Sequence, residues 1–193
     1  YDPTAQRYRI RFRQELRGGE RPFHLPIALA IVDRAGRDIS GTARVYQLRD
    51  SVGELTVDGI AEPPAFASLN RDASFYGTFE HGGIDADTVK AQALLDPNRY
   101  NRVDAMRRLT DKERLRLVLD PAAEVTGAWL ELYGRLIADL SLPPSLKAFL
   151  LRVDEQPLDR AYCTWYEELV SARERLMKAA NRAYREELVG QFR

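Results

Sequence analysis

Two histidines and one cysteine are the side chains in this 193-residue sequence best suited to metal binding or nucleophilic chemistry. A zinc site needs three or more His, Cys, Asp or Glu ligands placed close together. His24 and His81 are widely separated, and the sequence contains no His-Glu-x-x-His motif. His24 precedes an apolar segment, which favours a structural role, and His81 lies in a turn-rich segment. The sequence therefore predicts no metal-binding residue.

Cys163 is the candidate nucleophile. It precedes a predicted helix start, where the helix dipole can favour a thiolate. No histidine lies near it in the sequence, so we favour burial as a small apolar residue. Glu167 and Glu168 complement the N-terminus of the same predicted helix. No opposed carboxylate pair and no phosphate-binding glycine motif is evident, so the sequence predicts no catalytic and no cofactor-binding residue.

Arginines form two groups. Arg9, Arg11 and Arg13 alternate with apolar residues, so they share one face of a predicted strand. That row is compatible with an anion site, but a face covered by solvent or by another domain is the favoured interpretation. The second group is predicted to be a solvated helix face balanced by Asp111 and Glu113, and it comprises Arg107, Arg108, Arg114 and Arg116.

Charge and composition argue against several classes of protein. The 29 basic and 29 acidic residues cancel, whereas nucleic-acid binders usually carry a basic excess. The sequence has no apolar run of about 18 residues and does not open on a basic-then-apolar signal. A single cysteine suits a reducing compartment. We therefore expect a cytoplasmic location, with neither nucleic acid nor a membrane as a partner.

The first part of the chain has the pattern of a β domain. Apolar and polar residues alternate in short segments separated by turn residues, which indicates strands with one buried face. Residues 27–32 are apolar throughout, as in a central strand. This spacing predicts a β-sandwich over residues 1–83. The predicted strands cover residues 8–13, 27–32, 43–48, 54–57, 65–69 and 74–79.

Apolar residues then follow helical spacing over residues 84–193. Asp85 or Asp87 is predicted to cap a helix that ends near residue 95. Asp96, followed by Pro97, is predicted to cap the next helix, because proline is favoured at the first helical position. Successive helices with short loops predict an all-α helical array. The fold class is therefore α+β in two parts, an antiparallel β-sandwich followed by helices.

Further helix starts are predicted at residues 110–113, 120–121 and 164–167, the first and last of them as capping boxes. The last start is predicted to open one long helix that runs to about residue 189. Residues 154–162 are predicted to be extended. Trp129 and Trp165 lie on apolar stripes of two predicted helices, so we expect both to be buried.

Five stretches in collinear order resemble bacterial aminopeptidase N of the M1 family of zinc metallopeptidases. Residues 22–36, PFHLPIALAIVDRAG, resemble the family's lHiPi…lyd.nG strand and turn, and residues 8–14 resemble its YtLtlsQ strand. Residues 62–71 lie where the family has Pv.SllR.FSAPV. Residues 96–105, DPNRYNRVDA, resemble DpdpFNRWeA, and residues 168–188 resemble the AArdaLrraLA…LrdEL helix. The sequence departs from the family pattern at residues 70–75 and 162–166.

The resemblance implies an Ig-like β-sandwich joined to the first helices of a C-terminal helical domain. In the family, the His-Glu-x-x-His motif, the distant Glu ligand, the exopeptidase Gly-x-Met-Glu-Asn motif and the catalytic Tyr lie upstream. None has a counterpart here, so the resemblance assigns no catalytic or metal residue to this chain. It implies zinc and a peptide substrate for a full-length enzyme. The partners would be the remaining domains of the same polypeptide.

Two functions therefore compete. The favoured hypothesis is a non-catalytic fragment of a cytoplasmic zinc aminopeptidase, which joins the catalytic domain to the helical domain. The alternative is a free-standing protein-binding module, and an independent hydrolase has little support. The first hypothesis also implies that the strand preceding residues 8–14 is missing. We then expect weak self-association through the free edge, strengthened by salt because salt screens repulsion between arginine rows.

Overall fold

The computed structural model describes residues 1–16, 21–77, 79–155, 157 and 160–190, with only the backbone described at residues 160, 161 and 163. The chain forms two compact units, Tyr1–Arg102 and Val103–Arg193. The first unit contains five strands, the first helix and the first turn of the second helix. The boundary expected between residues 83 and 84 follows the change of sequence pattern, and it stays a prediction.

Five strands form two antiparallel sheets. β1 (Arg7–Arg13) pairs with β4 (Val52–Asp58). β2 (Leu25–Val32) lies between β3 (Arg44–Leu48) and β5 (Phe66–Leu69) in the other sheet. The predicted antiparallel sandwich is confirmed, and so is the central position of the continuously apolar strand.

Alternation along β1 produces the core of this unit. Ile10 and Phe12 are buried with Leu29, Leu48 and Leu69 in one apolar cluster. The arginines of β1 alternate with these residues and face away from the cluster, because successive side chains of a strand point to opposite sides. Each large apolar side chain buried in this way stabilises the fold by about 1.5–3 kcal/mol.

The strand expected over residues 74–79 is wrong for the described part of that range. A 3₁₀ turn over Arg71–Ala73 follows β5 instead. The backbone reverses there because three non-glycine residues have positive φ angles of 51°, 55° and 51°, namely Asn70, Asp72 and Ala73. The Ala28 amide of β2 donates a hydrogen bond to Ser74 Oγ at 2.9 Å. A side chain thus satisfies a donor that a neighbouring strand would otherwise have paired.

The first helix confirms its predicted cap. α1 (Ala86–Leu95) begins after Asp85, whose Oδ1 accepts a hydrogen bond from the Thr88 amide at 2.7 Å. That bond satisfies one of the amides that have no partner inside the helix.

The second helix begins two residues later than its predicted cap allows. α2 (Arg99–Leu119) is preceded by Asn98, whose Oδ1 accepts from the Asn101 amide at 3.1 Å. Asp96 instead stands at the C-terminal end of α1, where its amide bonds to the Gln92 carbonyl at 3.0 Å. The prediction that Asp96 caps α2 is therefore wrong, because Asn98 occupies the capping position of that helix.

The predicted helix start at residues 110–113 is also wrong, because α2 continues through it. Thr110 Oγ1 accepts a hydrogen bond from Trp129 Nε1 at 3.1 Å. Glu113 Oε1 accepts from the Thr126 amide at 2.7 Å. Both side chains of the apparent capping box thus bind groups that are distant in the sequence.

α3 (Gly127–Ala138) and α4 (Pro144–Leu151) follow. Thr126 caps α3 by accepting from the Trp129 amide at 3.3 Å. The start expected at Asp120 is wrong, because that carboxylate closes a local turn by accepting an amide two residues further on. The first residue of α4 is a proline, which is tolerated there because its missing N–H would have no partner in the helix.

The last predicted helix is two helices. α5 (Tyr166–Ala183) ends before Tyr184, whose φ of −131° is not helical, and α6 (Arg185–Gly190) follows. The position before α5 is Trp165, which makes no side-chain capping bond, so the capping box at residues 164–167 is wrong. The buried stripe of α5 is confirmed at four positions, namely Leu169, Ala172, Leu176 and Ala180.

The connection between α4 and α5 differs from the predicted extended segment. A 3₁₀ helix covers Arg160–Trp165, so the extended prediction is wrong at residues 160–162. Residues 156, 158 and 159 lie outside the described part. Trp129 is 4% exposed, as expected, but Trp165 is 38% exposed and its predicted burial is wrong. None of the described helices is long and apolar enough to cross a membrane.

Candidate functional site

The two histidines do not belong to a metal-binding group in the described part of the chain. That part holds no group of three His, Cys, Asp or Glu side chains able to bind a metal ion. His24 is exposed, and its Nε2 lies 2.6 Å from Gln47 Oε1. The ring centroid of His81 lies 6.4 Å from that of Phe79. The Cys163 side chain lies outside the described residues, so its burial stays a prediction.

The charged groups of β1 and α5 lie where the sequence places them. Arg9 and Arg11 both pair with Glu54 of the neighbouring strand, at 3.2 and 3.0 Å, and both side chains are exposed. Arg13 is also exposed and pairs with a glutamate. These arginines are therefore exposed in this chain, and the choice between solvent and another domain as the cover of this face stays a prediction. Glu167 and Glu168 lie in the first turn of α5, as expected.

The arginines of α2 are only partly the solvated face that the sequence predicts. Arg108 pairs with Asp104 at 2.9 Å, and Arg116 pairs with Glu113 at 2.7 Å. Arg114, however, is 1% exposed, so its predicted solvation is wrong.

Arg114 is buried because its guanidinium binds backbone carbonyls after α4. Nη2 donates to the Asp154 carbonyl at 2.7 Å, and Nη1 donates to the Glu155 carbonyl at 3.2 Å. Arg107 pairs with the Asp154 carboxylate at 2.7 Å. Arginine is suited to this role because its planar group presents several donors in a fixed geometry. This arrangement holds the chain in place after α4. The two guanidinium groups therefore have a structural role.

A second polar group lies inside the first unit, and sequence reasoning did not identify it. We call it the β5 polar cluster, and it consists of Ser68, Arg71, Asp96, Asn98 and Asn101. Ser68 is 0% exposed and Asp96 is 1% exposed, which is unusual for polar side chains. The cluster connects β5 to the turn that follows it and to the helix ends.

Ser68 is the centre of the β5 polar cluster. Its hydroxyl donates to Asp96 Oδ1 at 2.9 Å and accepts from Asn101 Nδ2 at 3.0 Å and from Arg71 Nε at 2.9 Å. Asp96 Oδ1 also accepts from the Asn98 amide at 2.8 Å. One hydroxyl thus joins three chain segments.

The turn after β5 is fixed by charged groups at the rim of this cluster. Arg71 forms a bidentate pair with Asp38, with distances of 2.8 and 2.6 Å. Asn98 Nδ2 donates to Asp72 Oδ1 at 2.9 Å. Bidentate arginine–carboxylate pairs combine charge with a fixed geometry, so they can hold a backbone that contains positive φ angles.

Two carboxyl groups of this region have pKa values shifted in opposite directions. The side-chain hydrogen bond from Arg71 lowers the pKa of Asp38 below its ordinary value. Burial raises the pKa of Asp96, against the lowering effects of the Asn98 amide and the Ser68 hydroxyl. Desolvation disfavours the charged form of a carboxyl group, whereas a nearby cation favours it.

The sequence carried a signal for this cluster. Ser68 interrupts an otherwise apolar strand, and Asp96, Asn98 and Asn101 occur within six residues. A buried serine in a strand needs hydrogen-bond partners, and helix-capping residue types can supply them. Sequence reasoning favours capping for these residues, because their partner Ser68 lies about thirty positions away in the sequence.

The architecture defines a class of protein in which an antiparallel β-sandwich precedes successive helices. Residues 1–82 match the family model described as "Domain of unknown function (DUF3458) Ig-like fold". Residues 86–193 match the model described as "Domain of unknown function (DUF3458_C) ARM repeats", and this chain belongs to that family. The Ig-like character of the predicted sandwich is thereby confirmed.

A solved structure has the same fold. It is the crystal structure of Legionella pneumophila aminopeptidase A in complex with aspartic acid, with a TM-score of 0.74 and 18% sequence identity. The similarity covers 98% of this chain and 22% of that chain, so this chain spans about a fifth of that protein's length. No match is found among curated proteins.

Proposed function

We propose that this chain is a non-catalytic part of a cytoplasmic zinc metallo-aminopeptidase that removes N-terminal amino acids from peptides. The observation that carries the proposal is the similarity of nearly the whole chain to about a fifth of an aminopeptidase. The collinear sequence resemblance to the M1 family supports it independently. The Ig-like unit would join the catalytic domain to the helical domain.

The described side chains of this chain do not fit a zinc site of such an enzyme. His24 pairs with an amide side chain, and the described residues hold no group of three metal ligands. We therefore assign zinc, the catalytic residues and peptide contact to other parts of the polypeptide. The proposed role of this chain is mechanical: it holds the neighbouring domains in place. A well-packed core suits this role because it deforms little under load.

The test uses the whole polypeptide that contains this chain. We expect it to hydrolyse alanyl anilide in a chelator-sensitive reaction, and we expect the 193-residue chain to be inactive and to bind no stoichiometric zinc. Chelator-sensitive turnover by the 193-residue chain would overturn the non-catalytic assignment. A whole polypeptide without His-Glu-x-x-His and without turnover would favour the alternative, a free-standing protein-binding module.

The mechanical role is tested with a matched pair of leucines. Leu136 of α3 is 0% exposed and Leu140 is 88% exposed. In the whole polypeptide, Leu136→Ala should lower the temperature at which activity is lost, because a buried leucine contributes about 2–5 kcal/mol. Leu140→Ala should leave that temperature unchanged. Equal behaviour of the two variants would show that the helical unit does not support the activity.

A further inference from the structure

Two buried oxygen atoms at the end of α1 have no hydrogen-bond partner in the described part of the chain. They are Asp96 Oδ2 and Gln92 Oε1. Asp96 is 1% exposed and Gln92 is 4% exposed. Buried polar atoms are nearly always paired, so two unpaired acceptors in one region need a physical explanation.

Both side chains contact the same strand. Asp96 follows Gln92 by one helical turn, which places the two side chains on the same face. Gln92 Nε2 lies 3.5 Å from the Ala67 carbonyl, and Asp96 Oδ1 accepts from the adjacent Ser68. Because a carbonyl can only accept, the amide nitrogen of Gln92 must face Ala67. Its oxygen is then directed away from that carbonyl, and it needs a donor.

The hydrogen bonds that the structure shows for the donors of the β5 polar cluster go to other acceptors. Asn101 Nδ2 donates to Ser68 Oγ and to the Leu69 carbonyl. Arg71 donates Nε to Ser68 and its two terminal nitrogens to Asp38. The Ser68 hydroxyl donates its one proton to Asp96 Oδ1.

An ionised Asp96 would receive little stabilisation from nearby positive charge. Arg71, in the turn after β5, is the cation whose field acts on Asp96. The same guanidinium also interacts with Asp38, from the connection between β2 and β3, and with Asp72. One cation is therefore shared among three carboxyl groups, and Asp38 holds it in bidentate geometry. From the two helices, Gln92, Asn98 and Asn101 are neutral, and Arg102 of α2 is a second cation whose Nε donates to the Ala93 carbonyl of α1 at 3.1 Å.

We propose that Asp96 is protonated in the folded chain and that its Oδ2–H donates to Gln92 Oε1. The proton on Asp96 supplies a donor for Gln92 Oε1. It also removes the negative charge of a buried carboxylate. The two unpaired acceptors become one hydrogen-bonded pair. The group acts as a proton-dependent latch that ties the end of α1 to β5.

The latch gives the stability of the first unit an unusual pH dependence. A carboxyl group that holds its proton more tightly when folded binds more protons in the native state, so stability falls as pH rises above its ordinary value of 3.8. Asp38 acts in the opposite direction, because its lowered pKa adds stability that is lost as pH falls. Loss of the Asp96 proton should also loosen the turn that contains Asn70, Asp72 and Ala73.

Carbon-13 carboxyl NMR of the 193-residue chain tests the proposal directly. Asp96 is assigned by sequential connectivity and checked with Asp96→Asn, and Asp38 serves as the internal control. We expect the Asp96 carboxyl carbon to titrate at higher pH in the native chain than in the urea-unfolded chain, and Asp38 at lower pH. An Asp96 that titrates at or below its unfolded value overturns the latch, including the case of an ionised group hydrated by a buried water.

A matched pair of variants supplies the second readout. Asparagine mimics the neutral acid, since its amide can donate where Oδ2–H did. Asp96→Asn should therefore be at least as stable as the parent chain at neutral pH and should remove the decline with rising pH. Asp38→Asn should be less stable at neutral pH and keep that decline. An Asp96→Asn variant that is much less stable than Asp38→Asn, or unfolded, contradicts the proposal.

Discussion

At the scale of the residue, Trp129 and Trp165 have opposite environments despite similar sequence patterns. Trp129 is 4% exposed, and its indole N–H donates to Thr110 Oγ1 at 3.1 Å. Trp165 is 38% exposed and lies at the end of a 3₁₀ helix, next to the Tyr162 ring at 5.7 Å between centroids. A buried tryptophan usually has a partner for its N–H, and Trp129 has one on a neighbouring helix.

Tryptophan fluorescence should separate these two side chains. In Trp165→Phe, the remaining Trp129 emission should be blue-shifted and poorly quenched by iodide, because the ring is sheltered from water. In Trp129→Phe, the remaining emission should lie at longer wavelength and be readily quenched. Equal quenching of the two variants would contradict the environments described here.

At the scale of the element, helix ends are completed by side chains from other helices. Lys147 of α4 is 8% exposed, and its Nζ donates to the Ile137 carbonyl near the end of α3 at 2.8 Å. The last carbonyls of a helix lack partners inside it, and a cation there is also favoured by the dipole. Lys147 therefore serves as a C-terminal cap for α3, although it is ten residues away.

Removing this cap should destabilise the helical unit. Lys147→Met keeps the length and apolar stem of the side chain but loses the donor, and we expect a loss of about 1–3 kcal/mol. Lys178→Met is the control, because Lys178 is exposed and pairs with Glu174 of the same helix at 3.2 Å. That exposed pair should contribute less than about 0.5 kcal/mol. Urea unfolding followed by circular dichroism measures both, and equal losses would argue against the cap.

The break between α5 and α6 is packed against a glycine of α3. A methyl group at Gly134 would overlap the ring of Tyr184. The Tyr184 hydroxyl donates to the Leu130 carbonyl at 2.8 Å, which holds the ring at this position. The close approach explains why a glycine lies in the middle of a helix, where it otherwise costs about 1 kcal/mol.

Two glycine substitutions in α3 should therefore have opposite effects. Gly134→Ala gains helix propensity but collides with Tyr184, and we expect a net loss of about 1–3 kcal/mol. Gly127→Ala meets no atom within 4 Å, so it should be neutral or stabilise the helix by up to about 1 kcal/mol. Thermal unfolding compares them. A stabilised Gly134→Ala would mean that Tyr184 lies elsewhere.

At the scale of the whole molecule, β1 presents an edge for intermolecular pairing. The Arg7 amide donates to the Asp2 carbonyl at 3.0 Å and the Arg7 carbonyl accepts from the Asp2 amide at 2.8 Å, so both groups point away from β4. Because alternate residues of a strand point to the same side, the backbone groups of Arg9, Arg11 and Arg13 point there too. In the described residues, β1 pairs with β4 and, at this one bridge, with Asp2.

This edge should produce weak self-association that strengthens with added salt, because salt screens the repulsion between two arginine rows. Arg11→Pro removes a donor on the free side and should weaken association. Arg11→Gln loses the same charge but keeps the donor, so it should associate more strongly at low salt. Sedimentation velocity at low and high salt measures this. A parent chain that is monomeric under both conditions would show that the edge is protected.

Local pattern predicted most elements of both units. The alternation along β1 follows from a period of two residues, and the buried stripe of α5 follows from a period of 3.6 residues. Asp85 was correctly predicted as a cap because its partner lies three residues away. The predicted helix starts at Asp96 and Thr110 are wrong because the side chains of these residues bind groups that are distant in the sequence. Neither the hydrophobic period of a segment nor the capping propensity of a residue indicates a partner that is distant in the sequence.

The sequence by itself therefore determined the two-part organisation, the alternating faces of the strands and the apolar stripe of the last long helix. These features depend on interactions within a few residues, where backbone geometry alone fixes which side chains share a face. Only the tertiary structure decided that Ser68, Asp96 and Asn101 form one buried cluster and that Arg114 is not solvated. The physical reason is that a polar side chain binds whichever donor or acceptor burial brings next to it, and that neighbour comes from a distant part of the chain.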